Sequence, residues 1–171
     1  MSNYQQILSK LHTVADMAKQ IEKWKMAGDR VIFTNGCFDI LHKGHVTYLA
    51  QAADFGTKLV IGINADESVK RLGKGDDRPI NSEDARALLI ASLGFVDGVV
   101  VFNDDTPIRL IEQLQPDVLV KGADYDADET DPTSKKYIVG RETVMLFGGI
   151  VKTVPLVAGF STTGILNKIR D

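Results

Sequence analysis

The stretch Val31-Ile32-Phe33-Thr34-Asn35-Gly36-Cys37-Phe38-Asp39-Ile40-Leu41-His42-Lys43-Gly44-His45 decides the fold. It opens on a continuous apolar, β-branched run, the pattern of a strand buried on both faces of a parallel sheet. It ends on the entrance to an amphipathic helix that carries Val46, Leu49, Ala50 and Ala53. A buried strand feeding a helix is half of a βαβ unit, and the same alternation recurs outward along the chain. Residues 59–63, 99–102, 118–120 and 150–154 are further continuous apolar runs. Helical patterns lie between them. Residues 82–92 open on Ser82 as a cap and set Ala85, Leu88, Leu89 and Leu93 on one face. Thr106-Pro107 starts a helix running to about Leu114, residues 140–147 form another, and Ser161 caps a last one with Ile165, Leu166 and Ile169. This order predicts right-handed crossovers and a doubly wound, Rossmann-like α/β domain with a five-stranded parallel sheet and helices on both faces.

Upstream, Ile7, Leu8, Leu11, Val14, Ala15, Ala18 and Ile21 recur at helical spacing, and Gly28 is a stop signal. The expectation is an N-terminal helical extension over residues 1–28, anchored by Trp24 with His12 on its surface, and one domain over residues 29–171. Composition fits a single domain. The 171 residues hold 20 Lys and Arg against 23 Asp and Glu, a net charge of −3, and one cysteine. A domain of this size buries about 70% of its unfolded surface and needs no staple. One cysteine excludes an internal disulfide and fits a reducing, cytoplasmic setting. No apolar run approaches the ~20 residues of a membrane span, and the acidic balance argues against a general nucleic-acid binder.

Ligands of such sheets bind beyond the carboxyl ends of the strands, so the loops there should carry the chemistry. In the first, His42 and His45 share a face at a helix entrance, and Gly44 leaves room for close approach of a ligand. Free N–H groups and the helix dipole favour an anion there, and two imidazoles suit a phosphate whose charge grows during reaction. From spacing alone, a capped helix with two surface histidines stays open as well, while a zinc pair lacks a third ligand. In the last loop, Gly159-Phe160-Ser161-Thr162-Thr163-Gly164 offers hydroxyls that can cap a helix or bind a phosphate. In the third, Val120-Lys121-Gly122-Ala123-Asp124-Tyr125 sets a lysine directly after a buried strand. The acidic run after it, with five acidic residues from Asp124 to Asp131, reads as a solvated loop. Cys37 reads as a small buried space-filler. No Gly-x-Gly-x-x-Gly follows the first strand, which excludes the dinucleotide-binding fingerprint.

Phe38-Asp39-Ile40-Leu41-His42-Lys43-Gly44-His45 resembles the Phe-Asp-x-x-His-x-Gly-His signature of the nucleotidyltransferase superfamily. That group includes the glycerol-3-phosphate cytidylyltransferases, pantetheine-phosphate adenylyltransferase and the class I aminoacyl-tRNA synthetases. Ser161-Thr162-Thr163 resembles its second, Ile-Ser-Thr-Thr signature. The cytidylyltransferases precede that stretch with Arg-Thr-Glu-Gly, whereas Leu156-Val157-Ala158-Gly159 stands here, which speaks against CTP. Lys121-Gly122-Ala123-Asp124-Tyr125, residues 62–72, Arg78-Pro79-Ile80 and residues 96–107 resemble the heptose-1-phosphate adenylyltransferase branch.

The resemblance implies transfer of AMP from ATP to D-glycero-D-manno-heptose 1-phosphate, giving ADP-heptose for lipopolysaccharide and pyrophosphate. It implies His42, His45 and Lys121 as catalytic groups, with Lys43 a lesser cation. Asn35, Gly36, Cys37, Phe38, Asp39, Gly44, Arg78, Ser161, Thr162 and Thr163 would shape the nucleotide site. Asn64, Asp66, Lys70 and Asp124 would face the sugar phosphate. Lys70, Lys74 and Arg78 are the cations of a glycine-rich loop. Mg²⁺ should arrive on the triphosphate, with its protein ligands unassigned. A GTP-using heptose transferase, a glycerol-3-phosphate-type cytidylyltransferase and a non-catalytic nucleotide-binding domain are the alternatives. In many bacteria this transferase is fused behind a sugar kinase, for which 171 residues leave no room, so a stand-alone transferase is expected. The long amphipathic first helix and the habit of the family it resembles point to a homo-oligomer.

Overall fold

Strands β2 (Val31–Gly36) and β3 (Lys58–Asn64) form the centre of the sheet, and their side chains are buried on both faces, as the continuous apolar runs require. The computed structural model describes residues 1–73, 75 and 77–170. In chain order the other elements are α1 (Asn3–Leu8), β1 (Leu11–His12), α2 (Val14–Met26), α3 (Lys43–Ala53), α4 (Asp66–Arg71), α5 (Glu83–Ala91), β4 (Gly98–Phe102), α6 (Ile108–Leu114), β5 (Val118–Gly122), α7 (Arg141–Leu146), β6 (Ile150–Val154) and α8 (Thr162–Arg170). Among the described residues the sheet has six strands in the order β1-β4-β3-β2-β5-β6, and every pairing is parallel.

Two apolar layers cover the sheet. On one face Tyr48, Leu49 and Ala52 of α3 and Ala87, Ile90 and Ala91 of α5 pack on Ile32, Ile61 and Val120. On the other, Met17 and Ile21 of α2, Leu110, Ile111 and Leu114 of α6 and Val144 of α7 pack on Phe33, Val60 and Leu119. Two aspartates set the register at the amino ends. Asp97 accepts the Leu59 N–H at 2.8 Å, and Asp117 accepts the Val31 N–H at 2.7 Å, so each loop residue stitches the neighbouring strand's start.

The sixth strand is the main departure from expectation, which had five strands and a single N-terminal helix. Residues 3–26 form two helices around β1, because each helix carries its own start signal. Ser2 and Gln5 make a capping box for α1, and Thr13 accepts the Asp16 N–H at 3.2 Å to open α2. Between them the Lys10 carbonyl takes the Val99 N–H at 2.8 Å, and β1 closes part of the free edge of β4. The even apolar spacing hid this break, since Ile7 and Leu11 serve one layer while Met17 and Ile21 serve the other. His12 is accordingly half-buried in a strand rather than on a helix surface. Helix α5 is turned from its expected face: Arg86, Ala87, Ile90 and Ala91 are buried and Leu89 is exposed. Helix α4 carried no expectation, being only six residues long.

Candidate active site

The order of strands creates a crevice before any side chain is considered. From β2 the chain winds outward through β3 to β4, whereas β5 and β6 lie on the other side, so loops leave in opposite directions between β2 and β5. Asn35 near the end of β2 and Lys121 near the end of β5 span that point, with the Lys121 ammonium donating to the Asn35 side-chain oxygen. Burial pushes the Lys121 pKa down to about 8, against the attraction of Asp124. A cleft of about 670 Å³ opens above this pair.

The histidines stand at the start of α3. His42 is its N-cap, and its Nδ1 accepts the His45 N–H at 3.3 Å, which leaves the His42 ring proton on Nε2. The two imidazoles stack, with centroids 3.7 Å apart and planes 15° from parallel. Burial pushes the His42 pKa below its ordinary value, so a neutral donor stands there at pH 7. Phe38 meets His45 edge-on with centroids 5.3 Å apart. Below them the Tyr48 hydroxyl, 2.7 Å from that of Thr34, donates to the Val120 carbonyl at 3.0 Å and ties α3 to β2 and β5.

The turn between β2 and α3 is held from outside. Phe38 has φ +47°, a left-handed conformation that costs a residue with a Cβ about 1–2 kcal/mol. Asp39 is fully buried. Its carboxylate pairs with Arg78 and accepts the N–H groups of Ile80 at 2.8 Å and Asn81 at 3.0 Å. Burial alone would raise the Asp39 pKa, but these N–H groups and the Arg78 guanidinium together hold it below the ordinary value. The fully buried Arg86 donates to the carbonyls of Cys37 at 2.7 Å and Asn81 at 3.0 Å, and to Asp66 at 2.7 Å.

The opposite wall comes from the loop before α8. Ser161 Oγ accepts the Gly164 N–H at 3.0 Å and so caps that helix. Phe160 lies against Gly44, where a Cβ would meet the Phe160 Cβ and the His42 ring at 3.1 Å, and the Lys43 ammonium sits 5.3 Å from the Phe160 ring centroid. The amino ends of α3 and α8 therefore face one cleft.

Of the residues expected from sequence, the cleft wall brings together Asn35, Gly36, Cys37, Phe38, Asp39, His42, Gly44, His45, Asn64, Arg78, Lys121, Asp124, Ser161 and Thr162. Asp66, Lys70 and Thr163 are not part of it. Asp66 is held by Arg86, and Lys70 pairs with Glu67 on an exposed face at 2.7 Å. Lys74 lies outside the described residues. Sequence reasoning missed Arg86, whose signal was an arginine among the apolar positions of a helix. It also missed the apolar wall of Leu72, Pro107, Leu156 and Phe160, which has no motif of its own. The acidic run after Asp124 is largely exposed, and its side chains cap neighbouring N–H groups: Glu129 accepts from Thr130 and Asp131, and Asp131 from Thr133.

The cytidylyltransferase-like family matches residues 33–168. The Bifunctional protein HldE of Magnetococcus marinus is 50% identical over 160 residues, which is 94% of this chain and 31% of that protein. The protein of the same name from Campylobacter concisus is 48% identical over 170 residues, 99% of this chain and 32% of its own length. The chain thus spans about a third of the length of these relatives. Among solved structures, the lipopolysaccharide core biosynthesis protein from Thermoplasma volcanium superposes with a TM-score of 0.58 at 26% identity, covering 76% of this chain and 98% of that one.

Proposed function

The chain belongs to the cytidylyltransferase-like family, and on that premise we propose that it transfers AMP from ATP to D-glycero-D-manno-heptose 1-phosphate. The observation that carries the reading is the stacked His42–His45 pair at the start of α3, facing the start of α8 across one cleft that holds Lys121. A phosphate oxygen of the sugar, already ionised at pH 7, attacks the α-phosphorus in line. One P–O bond forms, the P–O bond to the bridging oxygen breaks, and pyrophosphate leaves with the electron pair. No general base is needed, and the protein aligns the reactants and neutralises growing charge.

In this reading His42 and His45 donate to the α- and β-phosphates. Ser161 and Thr162, with the N–H groups at the start of α8, serve the β- and γ-phosphates. Lys121 faces the sugar phosphate, with Asn64 and Asp124 beside it. Asn35 to Asp39 shape the pocket, and Arg78, paired with Asp39, neutralises a carboxylate that would otherwise repel the triphosphate. Mg²⁺ supplies charge neutralisation of the triphosphate when bound. It keeps most of its waters and needs few protein ligands, and among the described residues no three His, Cys, Asp or Glu side chains cluster to hold a metal. The same proposal includes a cytoplasmic setting and a homo-oligomer, the latter checked by light scattering. No helix among the described residues is long and apolar enough to cross a membrane.

The test is to supply ATP, GTP, CTP and UTP in turn with heptose 1-phosphate or glycerol 3-phosphate and to follow pyrophosphate. Release with ATP and the heptose is expected. Release only with GTP, or only with CTP and glycerol 3-phosphate, reassigns the substrates. Release with none leaves a nucleotide-binding domain.

A further inference from the structure

We propose that Arg86 is a positioning residue for the transfer step. By gripping the Cys37 carbonyl it fixes the peptide plane that sets Phe38 left-handed, and through the Phe38 ring it holds His45. The inference rests on the nucleotidyl-transfer reading, and it concerns a residue that does not line the cleft.

Arg86 is fully buried, and its guanidinium reaches three separate segments: the Cys37 carbonyl in the turn before α3, the Asn81 carbonyl before α5, and the Asp66 carboxylate at the start of α4. Only arginine has a planar fork that can serve three such acceptors at once, and lysine's single ammonium cannot reproduce it. Packing alone would be met by leucine with no charge to bury. What the guanidinium adds is orientation. The Cys37 carbonyl and the Phe38 N–H belong to one rigid plane, so a bond to that carbonyl restrains rotation at Phe38. Phe38 has φ +47°, a conformation that a residue with a Cβ keeps only when its surroundings impose it. Its ring then stands edge-on to His45, 5.3 Å between centroids, while His45 stacks on His42. Asn81 closes the frame from the other side, since its amide donates to the Asp39 carbonyl at 2.6 Å while its own carbonyl is held by Arg86. The start of α4 has a second tie, from the Asp66 N–H to Glu83 at 2.7 Å, so weakening Arg86 does not by itself release that helix.

The variant is Arg86→Lys, with Ile90→Val as a control that loosens the same helix in the core without touching the turn. Far-UV circular dichroism and melting give the folded fraction. Calorimetry gives ATP affinity, steady-state kinetics give kcat and KM, and NMR follows the His45 ring signals. Arg86→Lys is expected to fold, to bind ATP within about threefold of wild type, and to lose about 10–100-fold in kcat, the scale of a misplacement near 1 Å. Its His45 signals shift, whereas Ile90→Val keeps kcat per folded molecule and the His45 signals. Wild-type kcat in Arg86→Lys, or unmoved His45 signals, overturns the proposal. If Arg86→Lys does not fold, Phe38→Leu takes its place, and wild-type kcat there overturns it equally. If the wild-type protein releases no pyrophosphate from any substrate pair, the transfer reading fails, and the His45 signals still decide whether Arg86 positions that ring.

Discussion

The imidazoles of His42 and His45 lie 3.7 Å apart and nearly parallel, joined by a bond in which the side chain of the first accepts the backbone N–H of the second. The two residues therefore differ in what they do for the fold. His42 caps α3 with its ring, whereas His45 contributes only its backbone to that bond.

Replacing His45 with alanine keeps the capping N–H, so the melting temperature should hold while turnover falls about 10²–10³-fold, the usual effect of losing one positioned donor. Replacing His42 with alanine removes the cap acceptor as well, and should cost about 1 kcal/mol of stability in addition to the lost rate. Denaturant melts beside pyrophosphate assays separate the two effects. Near-wild-type turnover in His45→Ala sinks the catalytic assignment.

Lys121 should give the reaction an alkaline limb. Its pKa of about 8 means that the free protein loses this cation as pH rises through that value. A profile of kcat/KM should fall above pH 8, since that ratio reports the free enzyme. Stability runs the other way. The unfolded chain keeps the proton up to the ordinary 10.5, so unfolding becomes harder with rising pH between about 8 and 10.5. Lys121→Arg stays charged and should lose the limb; a limb unchanged in that variant assigns it to another group.

Asp39 anchors the turn from inside the protein. Asp39→Ala leaves Arg78 without its buried partner, a change that costs about 3–5 kcal/mol. For a domain of this size that is a drop on the order of 10 °C in melting temperature. Because the folded carboxyl titrates below its ordinary 3.8, its contribution is complete above that value and disappears as pH falls further. The difference in stability between wild type and Asp39→Asn should therefore shrink below about pH 4, as scanning calorimetry in acid would show.

Gly44→Ala tests how closely the two walls meet. Alanine is the better helix former, by about 1 kcal/mol, yet its Cβ would press on the His42 ring and on Phe160 at 3.1 Å. The variant should melt no lower than wild type and raise KM for ATP by about tenfold. An unchanged KM would show that Phe160 yields without disturbing the site.

Much of the site was legible because its residues are local. His42, Gly44 and His45 fall within one helical turn, and Ser161 and Thr162 within another, so spacing alone places each group on a helix entrance. The roles of Asp39 and Arg78 were not legible in this way. They are 39 residues apart in the chain, and nothing local shows that a carboxylate in one loop and a guanidinium in another neutralise each other.

The sequence by itself determined the α/β alternation and the loops that meet at the cleft, because continuous β-branched runs, helix caps and glycine spacing act over a few residues. Tertiary structure alone decided the rest. It made β1 a sixth strand, since the edge of β4 supplies the partner for Lys10 and Leu11. It placed Lys121 against Asn35 at the point where the strand order reverses. It also put Arg86 inside, because a buried guanidinium is tolerable only where it finds acceptors, and two of its three, on Cys37 and Asp66, come from distant segments.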